Sequence, residues 1–208
     1  TVYQNDFASI DTSNTSQGYV MVKYNGTNEK VKLQITCPDQ SCYTYLISDR
    51  GAYDTFPLTA GNGSYALQVL ENVAGDTYTV SLAQSINVSI EDEFLPFLYP
   101  NQYVNFHTDS KAVSKGSDLA KDTYSDLDVV QNIYNYVIKN ISYDTEKAQN
   151  VSYGYVPDID DTLSSKKGIC FDYAALMTSM LRSQNIPTKL EVGYSGDAYH
   201  AWISTYID

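Results

Sequence analysis

Positive charge is scarce in this chain. Thirteen Lys and Arg stand against 25 Asp and Glu in 208 residues, a formal net charge of −12. Nucleic acid and anionic membrane surfaces recruit basic proteins, so both are excluded as expected partners. Long apolar runs are absent as well: none approaches the ~18 residues that a spanning helix needs. No basic segment opens the chain at residue 1, so the expectation is that either a leader has been removed or the sequence starts after one. Histidine occurs twice, Trp once and Cys three times. A zinc site built on Cys170 and His200 would lack further paired ligands. Neither acidic cluster, IEDEF (90–94) nor DIDD (158–161), has the spacing of a calcium loop. No metal and no cofactor is expected, and the carboxylates read as a solvated acidic surface.

What is present is tyrosine, 20 of them, with many Asn, Ser and Thr. That composition suits a secreted or cell-surface protein. Apolar residues make up 43% and charged residues 18%, enough for ordered cores in one large or two small domains. Cys37 and Cys42 flank the turn-like CPDQSC, so an oxidising compartment could join them across a hairpin and leave Cys170 as the odd thiol. The alternative is two unpaired strand residues. Six N-x-S/T sequons, at Asn14, Asn25, Asn62, Asn87, Asn140 and Asn150, fit an Asn/Ser/Thr-rich chain more simply than they fit glycosylation.

The hydropathy pattern changes near residue 95. Before it, GYVMVKY, KVKLQIT, YTYLIS, YALQVLE and TYTVSLAQSINVSI alternate in strand fashion between turn residues. This predicts a small antiparallel sandwich over 1–95. YNGTN reads as an Asn-Gly hairpin and GNGS as another turn. FLPFLYPNQYV (94–104) reads as the hinge, because two prolines interrupt it. Beyond it the period becomes helical. One helix starts near Asp109 or Ser110 with Ala112, Val113, Gly116, Leu119 and Ala120 on one face. A second carries Leu127, Val130, Ile133, Tyr134, Val137, Ile138 and Ile141, opened by a Ser125/Asp128 capping box. The polar stretch 142–167 reads as loop, partly helical around Asp161 to Ser165.

A third helix opens on Cys170, with Phe171, Ala174, Ala175, Thr178 and Leu181 at amphipathic spacing. Asn185 and Pro187 end it, Asn185 tolerating a left-handed C′ position. TKLEVGYSG and HAWISTYI then alternate as a strand pair. The thiolate is the reactive form of cysteine. A helix N-terminus favours an anion through its partial positive charge and free N–H groups. Lys166 and Lys167 add positive potential, largely screened at the surface. Gly168 would let a substrate carbonyl approach, and the Cys170 amide could stabilise an oxyanion. His200, in YHAW, is the candidate ion-pair partner and proton donor to the leaving group. His107 reads as a linker or cap residue.

Gly168, Cys170, Asp172-Tyr173-Ala174, Arg182, Ile186-Pro187, Gly193-Tyr194 and His200-Ala201-Trp202, with NISYD (140–144) upstream, resemble the core of the transglutaminase-like superfamily. The resemblance covers roughly residues 100 to 208. It implies a papain-like fold with a Cys-His-Asp triad, Cys170 as nucleophile and His200 as base. In that family the acid lies on the strand after the histidine strand, well over ten residues past HAW. Asp208, at the end of the histidine strand, is therefore not assigned to the triad; the orienting Asp is expected beyond residue 208, and the domain is expected to be truncated. The animal enzymes use a Trp upstream of the cysteine in the oxyanion site. Trp202 lies downstream, which leaves a tyrosine such as Tyr143 as a guess.

The expected fold class is α+β: an Ig-like antiparallel sandwich over 1–95, then a papain-like transglutaminase core over 96–208. The expected function is acyl transfer or hydrolysis on a peptide or glutamine amide through a Cys170 thioester. The partner would be a protein or peptide, including cell-wall peptide. The alternative is a catalytically silent surface-binding or adhesion module, including one in which the sandwich alone binds.

Overall fold

The computed structural model describes residues 1–207, and the chain divides into two compact units, Thr1–Pro96 and Phe97–Asp208. The expectation placed on Asp208 lies outside the described residues. No helix among them is long and apolar enough to cross a membrane.

The first unit holds β1 (Val2–Gln4), β2 (Ala8–Asp11), β3 (Tyr19–Tyr24), β4 (Val31–Thr36), β5 (Cys42–Leu46), β6 (Asp54–Pro57), β7 (Gly63–Ala74) and β8 (Thr77–Val88). They form two four-stranded antiparallel sheets, ordered β1-β2-β3-β6 and β5-β4-β7-β8. Period-two alternation turns Val20, Val22 and Tyr24 of β3 and Val31, Leu33 and Ile35 of β4 inward. With Phe56, Tyr65, Leu67 and Val69 they build one core, each large apolar side chain contributing roughly 1.5–3 kcal/mol.

The Asn-Gly signal marks a crossover here, since β3 and β4 lie in different sheets. Tyr24 is the reason. Its ring points inward and its hydroxyl donates to the Glu71 carboxylate. A Cβ on Gly26 would fall 2.2 Å from that hydroxyl, so the chain passes over the ring and into the second sheet. GNGS likewise leads β6 into the other sheet. The hairpin turns are CPDQSC, between β4 and β5, and Gly75-Asp76, between β7 and β8. Cys37 and Cys42 are both free thiols. Cys37 is buried in the core while Cys42 is exposed.

The second unit contains α1 (Lys111–Ala120), α2 (Asp126–Asn140), β9 (Ser142–Tyr143), α3 (Thr145–Asn150), α4 (Ile159–Ser165), β10 (Lys167–Gly168), α5 (Cys170–Arg182), β11 (Thr188–Ser195) and β12 (Ala198–Thr205). Helix α5 is the centre, packed by α1, α2, α4 and the β11–β12 hairpin. Gly116 lets α1 come close: a Cβ there would sit 3.1 Å from the Met180 carbonyl oxygen. Every residue of α5 from Ala174 to Arg182 is buried, so the amphipathic face expected for this helix is replaced by burial all round.

The Ser125 hydroxyl caps α2 by accepting from the Asp128 amide, but the Asp128 carboxylate accepts from Tyr124 rather than Ser125. The DIDD cluster also caps helices. Asp158 accepts from the Asp160 and Asp161 amides at the head of α4. Asp160 reaches across to accept from the Lys111 and Ala112 amides at the head of α1. Each such cap is worth about 1 kcal/mol.

Candidate active site

Cys170 is the first residue of α5 and is half-buried. The first N–H groups of a helix have no partner within it, and the Cys170 amide meets no acceptor among the described residues. Only the first turn of α5, Cys170 to Tyr173, retains exposed surface apart from the buried Asp172. The one helical end open to solvent is therefore the end that carries the thiol.

Two backbone devices fix that end. β9 and β10 pair in parallel, Ser142 with Lys167 and Tyr143 with Gly168. The Asp144 amide donates to the Gly168 carbonyl at 2.9 Å. NISYD and KKGIC, 25 residues apart, are thus joined directly beside Cys170. Tyr173 adds a bond from its hydroxyl to the Ile141 carbonyl at 2.6 Å. Tyr143 sits on this ladder with its ring 6.5 Å from that of Tyr173, which places it near the thiol segment.

The second device is Asp172, fully buried at the third helical position. Its carboxylate accepts from the Ile169 amide at 2.8 Å, from the Lys147 ammonium at 2.8 Å and from the Tyr155 hydroxyl. This is one half of a capping box, because Ile169 has no side-chain acceptor to return the bond. Lys147 also donates to the Tyr155 hydroxyl at 2.6 Å. Burial pushes the Tyr155 phenol up to about 12, the Asp172 bond adding to the shift. Burial alone would lower Lys147, but its bonds to Asp172 and Tyr155 outweigh that and raise it. Gly168 is required here for a reason not legible in the sequence. A Cβ on it would lie 2.7 Å from the Asp172 Cβ, so glycine makes room for the carboxylate as well as for any substrate.

Arg182 closes the far end of α5. Its guanidinium is buried and donates to the Thr188 carbonyl at 2.9 and 2.7 Å and to the Tyr99 carbonyl at 2.6 Å. Burial brings it down to about 9. Asn185 holds the predicted left-handed conformation, at φ 62°, and the chain turns into β11.

His200 lies on β12, opposite Gly193 of β11. The β11–β12 hairpin packs against α5. Ala201 and Ile203 face the helical core, and His200 and Trp202 lie on the other, exposed face of the hairpin. The His200 and Trp202 rings stack at 6.4 Å, and the indole N–H donates to Glu191 at 2.8 Å. No hydrogen bond joins the Cys170 thiol to the His200 ring among the described residues. His107 precedes α1, its amide donating to the Ser110 hydroxyl. Sequence reasoning missed Lys147 and Tyr155; the one available signal was Asp144 as an N-cap, which accepts from the Lys147 amide and so starts α3.

Residues 114–208 match the model of the transglutaminase-like superfamily. The chain is similar to the UPF0252 protein of Methanocaldococcus jannaschii, 32% identical over 91 residues, covering 38% of this chain and 26% of that protein. It is similar also to Kyphoscoliosis peptidase of Mus musculus, 30% identical over 105 residues, covering 44% of this chain and 16% of that one. Among solved structures it resembles a candidate cysteine protease from Cytophaga hutchinsonii, with TM-score 0.48 and 14% identity, over 100% of this chain and 65% of that one. A candidate protease from Parabacteroides distasonis matches with TM-score 0.40 and 13% identity, over 100% and 57%. The chain spans only 26% and 16% of the curated relatives' lengths.

Proposed function

Because residues 114–208 belong to the transglutaminase-like superfamily, we propose that the second unit is a cysteine-dependent peptidase or acyltransferase with Cys170 as its nucleophile. The observation that carries this reading is the head of α5: a half-exposed thiol with a free amide on the one open end of a buried helix. The thiolate attacks the carbonyl carbon of a peptide or glutamine amide, and the oxyanion is stabilised by the Cys170 N–H. The amine leaves with a proton from His200, and a thioester remains. Water then gives a hydrolase, and an amine gives a crosslinking enzyme.

One observation favours a silent binding module instead, namely the exposed face on which His200 lies without a bond to the thiol. Two measurements separate the readings. Cys170→Ala should abolish turnover of peptide and glutamine-amide substrates, and His200→Ala should slow iodoacetamide labelling of Cys170. Turnover that survives Cys170→Ala would sink the catalytic reading. Labelling that is indifferent to His200 would favour the silent module. Placement outside the cell or at a cell surface is proposed from composition, and a bacterial source from the family resemblance; fractionation of the native host tests the placement.

A further inference from the structure

The buried carboxylate two residues past Cys170 is the strongest unused chemistry in the second unit. Asp172 is buried in the first turn of the helix that carries the thiol, and an unmatched negative charge there would oppose thiolate formation. Lys147, on α3, is the one cation bonded to it among the described residues. Among the described residues, the other charged groups on neighbouring segments, Lys166 and Lys167 before the helix, Asp144 and Glu146 at the start of α3 and Glu191 on the hairpin, make no bond to Asp172. Tyr155 completes the cluster. Its hydroxyl donates to Asp172 while the Lys147 ammonium lies 4.4 Å from its ring centroid. The same ring meets Phe171, the residue after Cys170, edge-on at 6.4 Å, and Tyr103 meets Phe171 at 5.2 Å. Phe171 and Asp172 are held by groups outside α5, and Asp172 in turn holds the Ile169 amide.

We propose that Lys147 and Tyr155 are positioning residues for Cys170: they hold Asp172 as a charge-matched peg for the Ile169 amide, which fixes the head of α5 and cancels the carboxylate's effect on the thiol. This rests on the reading of Cys170 as the nucleophile.

The test is the rate of iodoacetamide labelling at pH 7, resolved by mass spectrometry of the Cys170 peptide so that the exposed Cys42 is scored separately. Lys147→Met leaves Asp172 unmatched and should slow Cys170 labelling roughly tenfold. Lys147→Arg should restore most of the rate. The double variant Lys147→Met/Asp172→Asn removes both charges while an amide oxygen still accepts from Ile169, and it should also recover. A merely structural role would leave the double variant at least as impaired as the single one. A folded Lys147→Met that labels at the wild-type rate overturns the proposal, as does a double variant as slow as Lys147→Met. Should Lys147→Met not fold, Tyr155→Phe decides: slower labelling supports the proposal and an unchanged rate overturns it. If wild-type Cys170 labels no faster than Cys42, the nucleophile reading fails and takes this one with it. Fast wild-type labelling with unchanged variants fails the positioning role alone.

Discussion

Substituting Gly168 with alanine tests the geometry at the head of α5 most sharply. The added Cβ would sit 2.7 Å from the Asp172 Cβ, well inside van der Waals contact. Asp172 cannot slide aside, because three donors on separate segments hold its carboxylate. Overpacking of this kind costs about 1–3 kcal/mol, and reduced freedom in the unfolded chain returns about 0.4–1 kcal/mol. A net loss of about 1–2 kcal/mol remains. At a typical urea slope of ~2 kcal/mol/M the midpoint should fall by roughly 0.5–1 M. Trp202, the single Trp of the chain, lies in the second unit, so its fluorescence reports that unit alone. Gly193→Ala is the control. Its Cβ would meet only the rim of the Trp202 ring, at 3.4 Å, and the stability should stay within about 0.5 kcal/mol of wild type. A Gly168→Ala midpoint equal to or above wild type would refute the packing argument.

Arg182→Lys keeps the charge but loses the planar fork to Thr188 and Tyr99; the Trp202 transition should drop by about 2 kcal/mol or more. Asp160→Ala removes the acceptor for two α1 amides and should cost about 1 kcal/mol in the same assay. Tyr24 and Tyr65 are each pushed from 10 up to about 12, burial being the largest cause. The folded state therefore binds the phenolic protons more tightly. That stability is complete below pH 10 and is lost as pH rises from 10 through about 12. Denaturant melts of the first unit, followed by circular dichroism, should weaken across that window, and less steeply in Tyr24→Phe.

The sequence discloses β3, β4, β7 and β8 because each alternates long enough to show its buried face, and β5 by its run of strand-favouring residues between turns, although none of its residues is buried. β1, β2 and β6 have three or four residues each, too few for a period to emerge. Sheet membership is lost as well, since a local Asn-Gly signal cannot reveal that the Tyr24 ring reaches Glu71, 47 residues away. The α2 stripe and its Ser125 cap are legible because helix periodicity and capping are local. Burial of α5 on every side is not, because it depends on four other elements closing round it. The same limit applies at the candidate site. Cys170 at a helix head and His200 on a strand can be read from spacing, but the hairpin face on which His200 lies cannot. Lys147 and Tyr155 stand 25 and 17 residues from Asp172 in a polar stretch, and a lone lysine there looks like solvated surface.

Burial of α5 on every side carries a kinetic consequence. Amides in a helix enclosed by α1, α2, α4 and the hairpin exchange with solvent only when the whole unit opens. Those from Ala174 to Arg182 should therefore be among the slowest in the second unit. The tip of β11–β12, around Gly196 and exposed on both sides, should exchange orders of magnitude faster. The cysteine thus rides on the element least able to move.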